Sequence, residues 1–378
     1  MSALLGVAIV VSIALLPFVV FKASRIASGR SVALIAALGT PWGGLAAATL
    51  AASALGAACL FGARARLAAA LGGLVVLAIA VARAADVLTP AGNRIVRISP
   101  GIGCWLLLLA FALIATNALT RFRLGPLFRV ACLAVAGLLI YGAFAAGLFD
   151  RLSVMREYVV NESTFWHEGR RHLALAFGSL VAAVAAGLPL GIFCHREPRL
   201  RNAILQTLNL LQTIPSIALF GILMVPLGAL AAAVPALGAL GIRGIGAAPA
   251  ELALFLYSLL PIVANTAVGL GRVSPSTIEA ARGMGLNESQ VLTQIELVLA
   301  MPVIVTGIRI VLVQNIGLVT IAALIGGGGF GTFVFQGVGQ TAIDLVLLGA
   351  IPTVALAFIC AIVLDAVVEL LGERRVAS

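Results

Sequence analysis

Apolar residues along this chain gather into long runs, at about 3–21, 40–62, 67–85, 101–119, 130–149, 173–193, 203–225, 251–270, 303–325 and 345–371. Each run is near the ~20 residues an α-helix needs to cross a bilayer core. The pattern predicts an all-α, polytopic transmembrane helical bundle of about ten spans. No stretch between the runs is long enough to bury a core of its own, which excludes a soluble enzyme carrying one anchor. Composition sharpens this: 62% of the residues are apolar and 10% charged, where a soluble domain carries about 25% charged residues. The first run has its basic residues, Lys22 and Arg25, after it, so it reads as a membrane helix and not as a secretory leader.

The net charge is +10, from 24 Lys and Arg against 14 Asp and Glu. The arginines stand singly or in small groups between apolar runs, the pattern of loop charges that orient membrane helices, and no nucleic-acid surface is expected. Cys59, Cys104, Cys132, Cys194 and Cys360 sit within or beside apolar runs without CxxC spacing, and read as small packing residues. His167, His172 and His195 have no ligand spacing, so no metal site is expected. Gly326-Gly327-Gly328-Gly329 invites a phosphate-loop reading, but no Lys-Ser or Lys-Thr follows. The run reads instead as a closely packed turn at the end of a span, a candidate gate. Trp42, Trp105 and Trp166 near span ends read as interface anchors.

One strongly polar loop, 271–301, interrupts the second half. Ile278, Ala281, Met284, Leu286, Val291, Leu292, Ile295 and Leu299 recur in it with a roughly helical period. Ser274-Pro275 predicts a helix start, Gly285 a break, and Asn287 or Glu288 a second start running toward Pro302. The product is two short amphipathic helices joined by a glycine turn. Such a stripe either docks on another protein or lies on lipid headgroups.

The run Glu279-Ala280-Ala281, three residues, Gly285, nine residues and Ile295-x-Leu297 resembles the EAA loop of permease subunits of ATP-binding cassette importers. Val298 stands where that pattern usually has proline. The stretches 251–270, 278–286 and 322–331 look like permeases for glycine betaine, choline, carnitine and related osmoprotectants. The resemblance covers about 165–371, and the first 150 residues are similar to a longer branch associated with quaternary amine uptake. It implies extra N-terminal transmembrane helices over 1–150 and an extracytoplasmic connection over 151–172. It further implies an importer permease core over 173–371, with a cytoplasmic coupling loop at 271–301, and a cytoplasmic tail over 372–378. The implied setting is the bacterial inner membrane. The implied partners are ATP-binding cassette ATPase subunits, a second permease subunit and an extracytoplasmic binding protein. ATP and Mg belong on the ATPase, with no cofactor in this chain. Glu279, Ala280, Ala281, Gly283, Gly285, Ile295 and Leu297 become the coupling residues: a carboxylate anchor, alanines for close contact, and a glycine for a positive φ.

If the loop is cytoplasmic, the spans from residue 120 onward place ten arginines inside and five outside, as the positive-inside rule asks. The rule fails before residue 100, where Lys22, Arg25 and Arg30 fall outside. Asp365 and Glu369 are expected near Arg374 and Arg375. Amides inside spans are costly in lipid and either line a path or join helices by hydrogen bonds. Gln212, Asn265, Gln314 and Asn315 are the candidate path residues, with no unpaired carboxylate expected among them. The competing classes are a permease for an amino acid or sulfonate, and a self-sufficient secondary transporter, for which the chain shows no matched halves.

Overall fold

The computed structural model describes residues 13–373, apart from 14, 26, 60, 61, 91, 94, 123 and 240. The helices are Leu34–Leu38 (α1), Trp42–Cys59 (α2), Ala63–Leu88 (α3), Ile102–Leu119 (α4), Pro126–Ala145 (α5), Ser153–Val160 (α6), Glu162–Arg196 (α7) and Pro198–Thr213 (α8). They continue with Ser216–Ala233 (α9), Pro235–Ala239 (α10), Ala247–Gly271 (α11), Pro275–Gly283 (α12), Glu288–Gln290 (α13), Leu297–Ala322 (α14), Gly331–Gly339 (α15) and Ile343–Glu373 (α16). A π-helical segment, Val291–Glu296, joins α13 to α14.

Among the described residues eight helices are long and apolar enough to cross a membrane. They account for all the expected runs but the first two, of which 40–62 forms the shorter apolar helix Trp42–Gly56. Most of the run 3–21 lies outside the described residues. Its end, Val19–Lys22, is a β-strand (β1) paired antiparallel with Arg30–Val32 (β2) and Arg97–Pro100 (β3), in the order β2-β1-β3. Val19 faces Val32 and Pro100, and Phe21 faces Arg30 and Ile98. The bundle is therefore helical with one small sheet added, because Val-Val-Phe is β-branched and aromatic as well as apolar.

The chain divides into two units, Met1–Val160 with Ala342–Asp344, and Asn161–Thr341 with Leu345–Ser378. In the first unit the sheet and α1 to α4 share a core of Phe18, Val19, Leu34, Leu50, Ile98, Leu107 and Phe111. The α6 helix is tied to the strand region through Glu157, which is buried and lies 3.5 Å from Arg25 and 3.6 Å from Arg97.

In the second unit α11 packs against both α7 and α14. Glycine makes this possible. A Cβ at Gly187 would stand 2.8 Å from Ile262, and one at Gly191 2.5 Å from Thr266, so this Gly-x-x-x-Gly face lets α7 and α11 touch backbone to side chain. On the other flank Gly307 of α14 meets Asn265 and Pro261 in the same way. The single span expected at 203–225 is instead two helices. Pro215 has no N–H to continue the ladder, and Ile214 and Pro215 are extended, so α8 stops and α9 starts afresh. The Tyr257 hydroxyl donates to the Ile214 carbonyl freed by the break, and the Gln212 amide donates to the Tyr257 carbonyl at 2.7 Å. Among the described residues the candidate spans of this unit are α7, α9, α11, the helix from Glu288 to Ile325 and α16, with α8 packed against α11 ahead of α9. The 272–296 loop lies at the end of α7 that holds Arg196, and the 326–330 turn at the end that holds Glu168.

Candidate functional site

The polar loop folds as a set of caps. Ser274 begins α12, its hydroxyl accepting from Thr277 N at 3.3 Å, with Pro275 in the first turn. At the far end Gly285 takes φ +87°, Gly285 N donates to Arg282 O at 2.9 Å and Leu286 N to Ala281 O at 3.2 Å. These two bonds with a left-handed residue make a Schellman closure. Asn287 starts the next helix with a reciprocal capping box: its side chain accepts from Gln290 N, and its own N–H donates to the Gln290 side chain, both at 2.9 Å.

From Glu288 the chain then runs into the next span, through Pro302, without a break to Ile325. The π segment sets its phase. Val291 and Glu296, five residues apart, are both fully buried, which one π turn allows and an α turn does not. Glu296 is held by Arg196 at the end of α7, 2.8 Å away. Arg196 also lies 3.8 Å from Glu288, whose carboxylate accepts from Arg282 at 2.8 and 3.1 Å. Those bonds raise the Arg282 guanidinium above its ordinary value. Two cations and two carboxylates thus tie α12, α13 and the π segment to α7.

The predicted coupling residues divide by burial. Ala281 is buried inside the loop, and Ile295 and Leu297 are half-buried. Glu279, Ala280, Gly283 and Gly285 are exposed, and with them Met284, 72% exposed. The outward face is thus a carboxylate, small residues and one flexible apolar side chain, whereas Glu296 and Arg196, which seat the loop, were not among the residues picked from the sequence.

The intramembrane amides are mostly engaged. Asn315 is fully buried and donates to Ser179 at 2.9 Å and Ser258 at 3.0 Å, joining α14, α7 and α11. Asn265 donates to Pro261 O at 2.8 Å, and Gln212 braces the α8–α9 break. Gln314 is half-buried with no hydrogen bond among the described residues. An open cleft of about 310 Å³ lies elsewhere, lined by Asn202, Leu205, Gln206 and Asn209 of α8 and Leu260 and Ala264 of α11. Asp365 pairs with Arg309 of α14, and the tail arginines expected near it lie outside the described residues. Glu251, near the start of α11, is a carboxylate with no hydrogen bond or ion pair among the described residues; it lies against Gly178, where a Cβ would sit 2.6 Å from its Oε1. It lies away from the amide cleft.

At the other end of α7 the glycine turn is fastened. Gly326, Gly328 and Gly329 have φ of +78°, +78° and +87°. Arg171 donates to Gly326 O at 3.0 Å, Gly329 N donates to Glu168 at 2.5 Å, and Phe330 N donates to His172 Nδ1 at 3.2 Å. The second His172 nitrogen lies 3.1 Å from Ile316 O, which fixes the neutral tautomer with the proton on Nε2. Movement of this turn requires those bonds to break.

The second unit is thus a multi-pass helical bundle with a capped polar loop, seated by ion pairs and presenting an exposed Glu-Ala face. Residues 187–377 match the family of binding-protein-dependent transport system inner membrane components, and residues 1–155 match the N-terminal domain of the ABC transporter permease YehY. The chain belongs to the binding-protein-dependent transport system inner membrane component family: it is a multi-pass, non-catalytic permease subunit that works with ATP-binding cassette ATPase partners. The carnitine transport permease protein OpuCD of Listeria monocytogenes is 37% identical over 218 residues, 57% of this chain and 88% of that protein. The osmoprotectant import permease protein OsmW of Salmonella typhimurium is 42% identical over 189 residues, 50% of this chain and 83% of that protein. The glycine betaine/carnitine/choline permease OpuCD of Bacillus subtilis is 35% identical over 208 residues, 55% of this chain and 84% of that protein. Among solved structures, a chain of the inward-facing MetNI methionine ABC transporter is 22% identical with a TM-score of 0.47, over 55% of this chain and 95% of that one.

Proposed function

We propose that this chain forms the membrane path of an ATP-driven importer for osmoprotectants such as glycine betaine, choline or carnitine. The observation that carries the reading is that relatives 35–42% identical over the permease unit bear carnitine, choline, glycine betaine or osmoprotectant in their names. The 272–296 loop lies in the cytoplasm and seats on the ATPase, which holds ATP and Mg. Arg196, Arg199, Arg201, Arg272 and Arg282 at its end of the bundle, against Arg170, Arg171 and Arg243 at the other, support that orientation. Glu279, Ala280, Gly283 and Met284 form the docking face, Ala281, Ile295 and Leu297 its backing, and Gly285 its turn. The 326–329 turn is the outer gate, opened when the Glu168, Arg171 and His172 bonds are exchanged. A second permease subunit completes the path and an extracytoplasmic binding protein delivers the solute. Residues 1–150 take no part in ATPase docking.

The test is uptake of labelled betaine, choline and carnitine into proteoliposomes holding this chain with its ATPase and binding protein. Saturable, ATP-dependent uptake of at least one, absent with Glu279→Lys, is expected. Uptake of none, with ATPase activity stimulated by the loaded binding protein of another solute, would overturn the substrate assignment.

A further inference from the structure

Helix α8 differs from every other helix of its unit that is longer than four turns: none of its 16 residues is buried. Asn202, Gln206 and Asn209 follow one another at spacings of four and three, so they share one face. None of the three amides has a hydrogen-bond partner among the described residues, in contrast to Gln212, Asn265 and Asn315. The stripe lines a cleft with Leu260 and Ala264, which lie within the span α11, and amides at that depth are costly if they meet lipid. It therefore faces water, a solute or another protein surface.

Shape and chemistry decide among these. Close helix–helix seams in membranes bring small residues together, and amides within them are hydrogen-bonded across the seam. Here three side chains with free amides line an open hollow together with Leu205, Leu260 and Ala264. At about 310 Å³ it falls at the small end of ligand sites, about 300–1,000 Å³. It also lies on the loop side of the break between α8 and α9, and discontinuous helices recur where transporters hold their cargo. No charged side chain lines it.

We propose that this cleft is the solute-holding station of the path on the loop side. The ligand class it fits is a small zwitterion or N-methylated ammonium compound. The amide N–H groups of Asn202, Gln206 and Asn209 donate to the solute carboxylate, or their carbonyl oxygens face its cationic end, while Leu205, Leu260 and Ala264 contact its methyl groups. Neutral amides hold such a solute weakly, which suits release. The ligand class rests on the osmoprotectant reading above; the location of the station does not.

The test uses the full transporter in proteoliposomes, with the five native cysteines replaced by alanine and single cysteines introduced as Gln206→Cys, Asn209→Cys or, on the exposed apolar face, Leu210→Cys. The probe is a water-borne trimethylammonium methanethiosulfonate. Cysteines at 206 and 209 are expected to react and to be protected by betaine during turnover, with the 210 site slow. Asn209→Leu is expected to lower betaine uptake about tenfold, the loss of one hydrogen bond to a charged group, with Asn209→Gln restoring most of it. Unreactive thiols at 206 and 209, or joining of two copies by a short bis-maleimide at Asn209→Cys, would overturn the proposal, the latter in favour of an interface between copies. Reactive thiols without solute protection, with wild-type uptake by Asn209→Leu, would also overturn it. Protection by a different solute, with no uptake of betaine, choline or carnitine, would sink the osmoprotectant reading and leave the station in place.

Discussion

Gly285→Ala isolates the loop turn from everything else the loop does. Nothing lies within 4 Å of where its Cβ would stand, so no steric clash within the chain contributes. What changes is the backbone: φ is +87°, and an L-residue with a side chain pays about 1–2 kcal/mol in the left-handed region. The Schellman closure at this turn makes two hydrogen bonds, Gly285 N to Arg282 O and Leu286 N to Ala281 O, worth together about 1–3 kcal/mol net. The two terms are of the same size, so the closed turn falls from dominant to roughly half-populated, and apparent affinity for the ATPase falls about 2–10-fold. Asparagine tolerates this region far better than alanine, and Gly285→Asn should recover most of the loss. Fluorescence titration of solubilised permease with labelled ATPase measures the effect, and melting of the membrane bundle should not move. Wild-type affinity for Gly285→Ala would refute the strain argument. A Gly285→Asn variant as weak as Gly285→Ala would refute it differently, by showing that the ATPase cannot tolerate any Cβ there.

Arg196→Ala leaves Glu296 buried without its cation, at about 1–3 kcal/mol, and should lower melting and ATPase docking together; unchanged docking would show that the pair does not seat the loop. Asp365→Leu should destabilise the bundle by ~1–2 kcal/mol more than the Arg309→Leu/Asp365→Leu double variant, because the single change takes from Arg309 its carboxylate; equal effects in thermal melts would exclude coupling. Asn315→Leu removes the bridge between Ser179 and Ser258, and should cost about 0.6–1.7 kcal/mol of stability while the folded fraction transports normally; a specific loss of uptake per folded molecule would return Asn315 to the path.

The loop was largely legible because its signals are local. Ser274-Pro275, Gly285 and Asn287 each act within four residues, and each cap forms as their chemistry dictates. The seating of the loop was not, since Glu296 meets a partner 100 residues away and reads in the sequence as one more polar residue on an amphipathic face. The same holds for the amides. Gln212, Asn265, Asn315, Gln206 and Asn209 are alike as residue types, and only packing decides that the first three find partners while the last two stay open. The break at Pro215 carried a local signal, an X-Pro pair beside Gln212, that hydropathy averaging over 203–225 hides. The strand Val19–Lys22 was masked in another way: Val-Val-Phe serves a helix in lipid and a strand in a sheet equally, and pairing with Ile98, about 80 residues on, chose the strand.

Helix α7 and the helix from Glu288 to Ile325 are fastened to one another along their length. Arg196 grips Glu296 at the loop end, Ser179 and His172 bond the adjacent Asn315 and Ile316 O farther along, and Glu168 holds Gly329 beyond the far end. The 28 residues from Glu168 to Arg196 span about 42 Å at 1.5 Å per residue. A displacement imposed on the loop therefore reaches the glycine turn through two helices clamped at both ends, without relying on side-chain relays. Helix α8 is held only near its end: it has no buried residue, its Gln212 bonds the Tyr257 carbonyl of α11, and it joins α9 through an extended Ile214-Pro215 link. Under the coupling proposed above, movement of the loop is expected to shift the fastened pair relative to α8, whose Asn202, Gln206 and Asn209 line the cleft against α11, and so to change the outer turn and the cleft together.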